Sequence, residues 1–148
     1  MTDIDRPDVE STAGHRVAPH TADMIVEAWA PSRSTCLEEL VRGVVETFAD
    51  TAAAVATREI PFEIGAALDD DVVVTLLEDV LYLVDADGLV VVDITLEEED
   101  DGCFDGTFWV APTDAVAATG AVPKGVSRSE LRFARHDSMW QCRVVIDV

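Results

Sequence analysis

Apolar residues crowd the stretch from Met24 to Ala30 on both sides of a two-residue repeat, which predicts a well-buried strand that Pro31 stops. A short extended piece, Arg16 to Pro19, precedes it. Thr35 followed three residues later by Glu38 has the spacing of a capping box and predicts a helix start there. Leu37, Leu40, Val41, Val44, Val45 and Phe48 then recur at helical spacing and give that helix one apolar stripe. From Glu59 to Ala66 the period changes to two, with Ile60, Phe62 and Ile64 on one side, and Pro61 marks the strand as an edge. Asp69-Asp70-Asp71 opens a second helix, where carboxylates complement the positive end of the helix dipole. Its stripe is Val73, Leu76, Leu77, Val80, Leu81 and Val84, and Asp85-Ala86-Asp87-Gly88 ends it in a turn. Strands follow over Leu89 to Leu96 and Cys103 to Ala111, joined by the acidic turn Glu97 to Gly102. A looser segment, Pro112 to Ala121, leads to a final hairpin of Val126 to Ala134 and Met139 to Val148, closed by Arg135-His136-Asp137-Ser138.

Runs of hairpins around two helices predict an α+β fold, an antiparallel β-sheet domain with two amphipathic helices packed on one face, rather than a doubly wound parallel sheet. The chain of 148 residues is the size of one domain. Residues 1–14, with Asp3, Asp5, Asp8 and Glu10, are expected to be a disordered acidic tail, and residues 15–148 the folded domain.

Charge narrows the choice of partner. Thirty acidic residues stand against 10 basic ones, a formal net charge of -20. Affinity for nucleic acid comes from neutralising phosphates with Lys and Arg, so broad DNA or RNA binding is disfavoured, and a basic protein or a metal ion suits the surface better. No apolar run reaches the roughly 18 to 20 residues that span a bilayer, so no membrane segment is expected. The first residues lack the layout of a secretory signal. The three cysteines, Cys36, Cys103 and Cys142, show no CxxC spacing and suit reduced thiols, and the protein is expected to be cytoplasmic. No GxSxG elbow, GxGxxG loop or Walker pattern is present, and no histidine stands beside a serine or cysteine in a recognisable motif. Conventional enzyme machinery is therefore not expected.

Two carboxylates differ from the rest because each sits against apolar sequence. Asp23 follows His20-Thr21-Ala22 at the mouth of an apolar strand, and Asp147 ends another, one residue before Val148. If the two strands meet, Asp23, Asp147 and the carboxylate of Val148 form an oxygen-rich set that repels itself unless a cation neutralises it. Hard oxygen ligands of that kind suit Ca²⁺, with Mg²⁺ or Mn²⁺ as alternatives. His20 is placed to hydrogen-bond a ligand from behind.

The same residues resemble the archease family, small proteins that activate the RtcB-type RNA ligase of tRNA splicing and RNA repair. The resemblance begins at His20-Thr21-Ala22-Asp23 and runs through Trp29, then Thr35-Cys36-Leu37-Glu38-Glu39, then Val80-Leu81-Tyr82-Leu83-Val84-Asp85 with Asp87-Gly88. It closes on Lys124 and Val144-Val145-Ile146-Asp147-Val148 and covers residues 15–148. It implies a calcium-type cation on Asp23, Asp147 and Val148, and it implies that Lys124 helps promote guanylylation of the ligase. Implied too is a non-enzymatic activator, the alternative being a divergent metal-binding adaptor or chaperone-like module without ligase activation. A hydrolase using Asp23 and His20 is the third reading. The chain departs from the family pattern at Ile25, where a glycine is common, at Glu78, where an asparagine is, and at Ser127-Arg128-Ser129, where Thr-Tyr-His is usual.

Overall fold

The computed structural model describes residues 13–20, 23–65 and 67–148, with the main chain alone for Pro19 and His20. The expected acidic tail, apart from Ala13 and Gly14, and the Thr21-Ala22 link lie outside the described residues. In chain order come β1 (Gly14–His20), β2 (Asp23–Ala30), α1 (Arg33–Glu46), β3 (Ala49–Asp50), β4 (Arg58–Ile64), α2 (Asp69–Asp87), β5 (Leu89–Glu98), β6 (Phe104–Pro112), β7 (Ala117–Ala118), β8 (Gly125–His136) and β9 (Met139–Asp147). A single 3₁₀ turn, Thr113–Ala115, interrupts the looser segment.

The α+β class holds, with every described strand pairing antiparallel, and the strands divide into three groups. The larger sheet has the order β1-β2-β9-β8, the smaller the order β4-β6-β5, and β3 and β7 form a two-stranded ribbon. Both helices pack on both larger groups: α1 on β1, β2 and β9 and on β5, α2 on β8 and on β4 and β5. Their apolar stripes therefore join two sheets into one core. Val26, Ala28, Val144 and Ile146 from one sheet, Ile94, Phe104 and Phe108 from the other, and Leu37, Leu40, Leu76 and Leu77 from the helices are all inaccessible or nearly so. Each large side chain buried this way contributes about 1.5–3 kcal/mol.

The start of α1 corrects the capping-box expectation. Ser32 is the N-cap, its hydroxyl accepting the Thr35 N–H at 3.2 Å. The Glu38 carboxylate instead accepts the N–H of Leu96 at 2.7 Å, on the outer edge of β5. Arg42 donates to the Ile94 carbonyl on the same edge and pairs with Asp93. Side chains of a helix thus cover an edge that would otherwise offer open backbone groups. Pro61 does sit on an edge, since β4 bounds the smaller sheet opposite β5.

Glycine has a positional role at Gly88, which caps α2 in the left-handed region with φ 64°. A second such role is at Gly43. A Cβ added to it would lie 2.7 Å from the Val26 side chain and 3.2 Å from the His15 ring, so its absence lets α1 settle on β1 and β2.

Candidate functional site

Asp23 and Asp147 are direct partners in the antiparallel register of β2 and β9. Asp23 is the first residue of its strand and Asp147 the last of its own, because both apolar patterns run out at the same sheet end. Directly opposed residues on a sheet have Cβ atoms about 4.5–5.5 Å apart and share a face. Two carboxylates in that relation repel each other, and like charges directly opposite destabilise a sheet.

The flanking strands extend the row. His20 of β1 lies opposite Asp23, and Gly125 of β8 lies opposite Asp147. Immediately before Gly125, the Lys124 N–H donates to the Asp147 carbonyl at 2.7 Å. The preceding Pro123 is buried, which fixes this segment, while Lys124 itself is exposed. Val148 follows Asp147 directly and is exposed. The main chain therefore brings His20, Asp23, Asp147, Val148 and Lys124 to one end of the larger sheet, although they span most of the sequence.

Among the described residues, no cluster of three or more His, Cys, Asp or Glu side chains stands ready to hold a metal. The Asp23–Asp147 end supplies two side-chain carboxylates, so a cation there would draw its remaining ligands from main-chain oxygens such as those of Val148 and from water. That is a donor set of hard oxygens, which fits calcium's tolerance for irregular, partly hydrated coordination and fits zinc or a soft metal poorly.

The Ser127-Arg128-Ser129 segment lies on β8 beside Val145, two residues along from the acidic row. Its hydroxyls contact each other at 2.9 Å, and Arg128 reaches Asp71 in the first turn of α2 at 2.8 Å. This stretch serves the contact between β8 and α2.

Two side-chain groups escaped the sequence reading. Arg33 donates to Asp69 at 2.5 Å and Glu98 at 2.6 Å, and its guanidinium stands 5.2 Å, 5.7 Å and 5.5 Å from the ring centres of Phe104, Phe133 and Trp140. His15 bridges Glu39 at 2.8 Å and Glu46 at 2.9 Å, which ties β1 to α1. Its hydrogen bond to Glu39, set against burial, raises the imidazole above its ordinary 6.5, and the same bond lowers Glu39. Neither lies at the acidic sheet end, and only long-range pairing reveals either.

Fold and site together define a small α+β protein, two antiparallel sheets joined through two helices, with an acidic strand-end pair beside an exposed lysine. The chain belongs to the archease protein family, which it matches over residues 15–148, as the HTAD and C-terminal segments led us to expect. It is 43% identical over 138 residues to the "Probable protein archease" of Mycobacterium tuberculosis, strain CDC 1551 / Oshkosh, covering 93% of this chain and 76% of the relative. The counterpart in strain H37Rv gives the same figures of 43%, 93% and 76%. The fold is similar to the solution structure of protein 1598 of Methanobacterium thermoautotrophicum, with a TM-score of 0.75 at 20% identity over 91% of this chain and 99% of the other. It is similar also to the crystal structure of "an archease, possible chaperone" from Thermotoga maritima, with a TM-score of 0.64 at 19% identity over the whole of both chains, 100% of each. At those identities the two structures speak for the fold alone.

Proposed function

We propose that this protein is a non-enzymatic, cytoplasmic activator of an RtcB-type RNA ligase, acting in tRNA splicing and RNA repair by promoting guanylylation and turnover of the ligase. The observation that carries the proposal is the direct opposition of Asp23 and Asp147 at a sheet end, with Lys124 bonded to the Asp147 main chain. Membership of the archease family supports it. Asp23 and Asp147, with an oxygen of Val148, would hold a calcium-type cation, with His20 as a supporting hydrogen-bond partner. When bound, the cation supplies positive charge that neutralises the carboxylate pair and clamps phosphate oxygens. Lys124, exposed one residue before the strand, is free to swing its ammonium toward a phosphate brought in by the partner. The net charge of -20 works against direct RNA binding by a broad face and favours contact with a basic protein surface. No described helix is long and apolar enough to cross a membrane.

The test mixes the protein with the purified ligase from the same genome and labelled GTP, and times formation of the ligase–GMP adduct. Asp147→Ala and removal of Val148 are expected to cut the stimulation by about tenfold or more, since loss of residues that merely support metal ligands already costs about 10–100-fold. Calorimetric titration with Ca²⁺ is expected to lose its binding heat in Asp147→Ala, while circular dichroism is unchanged because Asp147 is exposed. Absence of stimulation by the unaltered protein would remove the activator reading and leave the adaptor or chaperone-like one. Release of product from GTP or RNA with no ligase present would point to the hydrolase.

A further inference from the structure

We infer that the open groove between α2 and residues 122–125 is the surface on which the partner protein docks, and that it receives an arginine carried by that partner. The inference rests on the activator reading and adds where and how the two proteins meet. The groove has a volume of about 470 Å³ and is lined by Glu78, Leu81, Tyr82, Asp85, Val122 and Lys124, among others. Tyr82 is the anomaly in an otherwise well-sorted helix. Its neighbours Leu81 and Leu83 are each 8% exposed, yet Tyr82 is 64% exposed although it lies inside the helix rather than at its end, and across the groove Val122 is 40% exposed. Among the described residues both side chains thus keep much of their apolar surface open to the groove.

Glu78 and Asp85 stand four residues before Tyr82 and three after it, so all three share one helix face. Among the described residues neither carboxylate is in an ion pair or a side-chain hydrogen bond, and the same holds for Lys124 on the opposite wall. Elsewhere in the fold Arg33, Arg42 and Arg128 are each committed to carboxylates, the pairing that Glu78 and Asp85 lack. Two uncommitted carboxylates beside an exposed aromatic face match a planar guanidinium, which stacks on the ring while its N–H fork bonds an acid. An ammonium of the same charge lacks the plane and the fork. Lys124 makes the groove dipolar, acidic along the helix and basic along the strand side, so the occupant sets its arginine toward α2 and away from the ammonium. The Lys124 main chain is bonded to Asp147, and a partner seated in the groove is thereby held against the Asp23–Asp147 end.

A photo-crosslinking amino acid, p-benzoylphenylalanine, placed at position 82 and, as a control, at exposed position 55, reads this directly with the purified ligase. Expected are a crosslink from position 82 to a ligase peptide containing arginine, none from position 55, and weakening of ligase binding by about tenfold or more in Glu78→Arg, Asp85→Arg and Tyr82→Ala. Circular dichroism and melting of these variants are expected to match the unaltered protein. Stimulation of the ligase with no crosslink from position 82 and no loss of binding in the variants overturns the docking surface while the activator reading stands. A crosslink to a segment without arginine, with binding untouched by Glu78→Arg and Asp85→Arg, overturns the arginine. No binding and no stimulation by the unaltered protein overturns both readings together.

Discussion

Arg33 shows how much one side chain can hold together. It stands at the first position of α1, bonds Asp69 at the first position of α2 and Glu98 on β5, and lies against Phe104 of the smaller sheet and Phe133 and Trp140 of the larger one. Only 18% of the side chain is exposed, so its removal strands two carboxylates and opens space among three rings. Arg33→Ala is expected to lower unfolding free energy by about 1–3 kcal/mol, measured by urea titration, because it removes packing against three rings and leaves two half-exposed carboxylates without their partner. Arg33→Lys should recover only part, since an ammonium cannot bond both acids while lying flat over the rings. His15 sets a pH dependence. Its folded pKa is raised above 6.5, chiefly by the hydrogen bond to Glu39, so its contribution is full below about pH 6.5 and fades as pH rises through the folded value. Glu39 is lowered from 4.5 by the same bond, so its contribution is full above about pH 4.5 and fades as pH falls through its folded value. The pair therefore contributes fully between roughly pH 4.5 and 6.5. His15→Gln is expected to flatten the decline in melting temperature above that window. An unchanged slope would show that β1 is not tied to α1 through this histidine.

Among the elements, α1 joins the parts. Its apolar stripe enters the common core, its Glu38 and Arg42 cover the edge of β5, and Gly43 lets it approach β1 and β2 closely. Gly43→Ala should raise helix propensity, worth about 1 kcal/mol to the helix, yet place a methyl 2.7 Å from the Val26 side chain. Overpacking of this kind costs about 1–3 kcal/mol, so the net change expected in urea unfolding is a loss. A more stable variant would show that the helix has room to shift. The stripe itself was legible in the sequence, because Leu37, Leu40, Val41, Val44 and Val45 sit at a spacing that only a one-sided helix explains. The cap was misassigned for an instructive reason. Thr35 and Glu38 satisfy the local pattern, but Glu38 was recruited by a backbone N–H 58 residues away, and local spacing carries no information about such a partner. Strand periodicity likewise tells which face is apolar but not which strand lies alongside, so the division into two sheets was hidden. The acidic end was legible because both of its strands stop there. The closeness of Lys124 came from family resemblance, since nothing in the spacing of residue 124 indicates that its N–H meets Asp147.

At the scale of the molecule, part of the net charge of -20 falls where the fold sets acid against acid. Across the smaller sheet Glu63 lies opposite Asp105, and Asp105 lies opposite Glu97, so three exposed carboxylates form one row over β4, β6 and β5. The adjoining turn adds Glu99, raised above its ordinary value first by the charge of Asp105 and further by burial and the charges of Glu97, Asp101 and Asp100. Like charges directly opposite weaken a sheet, and exposed ones respond strongly to screening. At about 0.01 M salt the screening length is roughly 30 Å, longer than the row, and at about 1 M it is roughly 3 Å, shorter than one strand spacing. The melting temperature is therefore expected to rise with sodium chloride across that range. Asp105→Asn removes the central charge of the row and should raise the melting temperature at low salt by on the order of 2 °C, a shift typical of a small stabilisation in a domain of this size. The difference between variant and unaltered protein should then close as salt is added. A substitution effect that persisted undiminished at 1 M would mean that asparagine acts through packing or hydrogen bonding, and that the row of carboxylates is not the source of the strain.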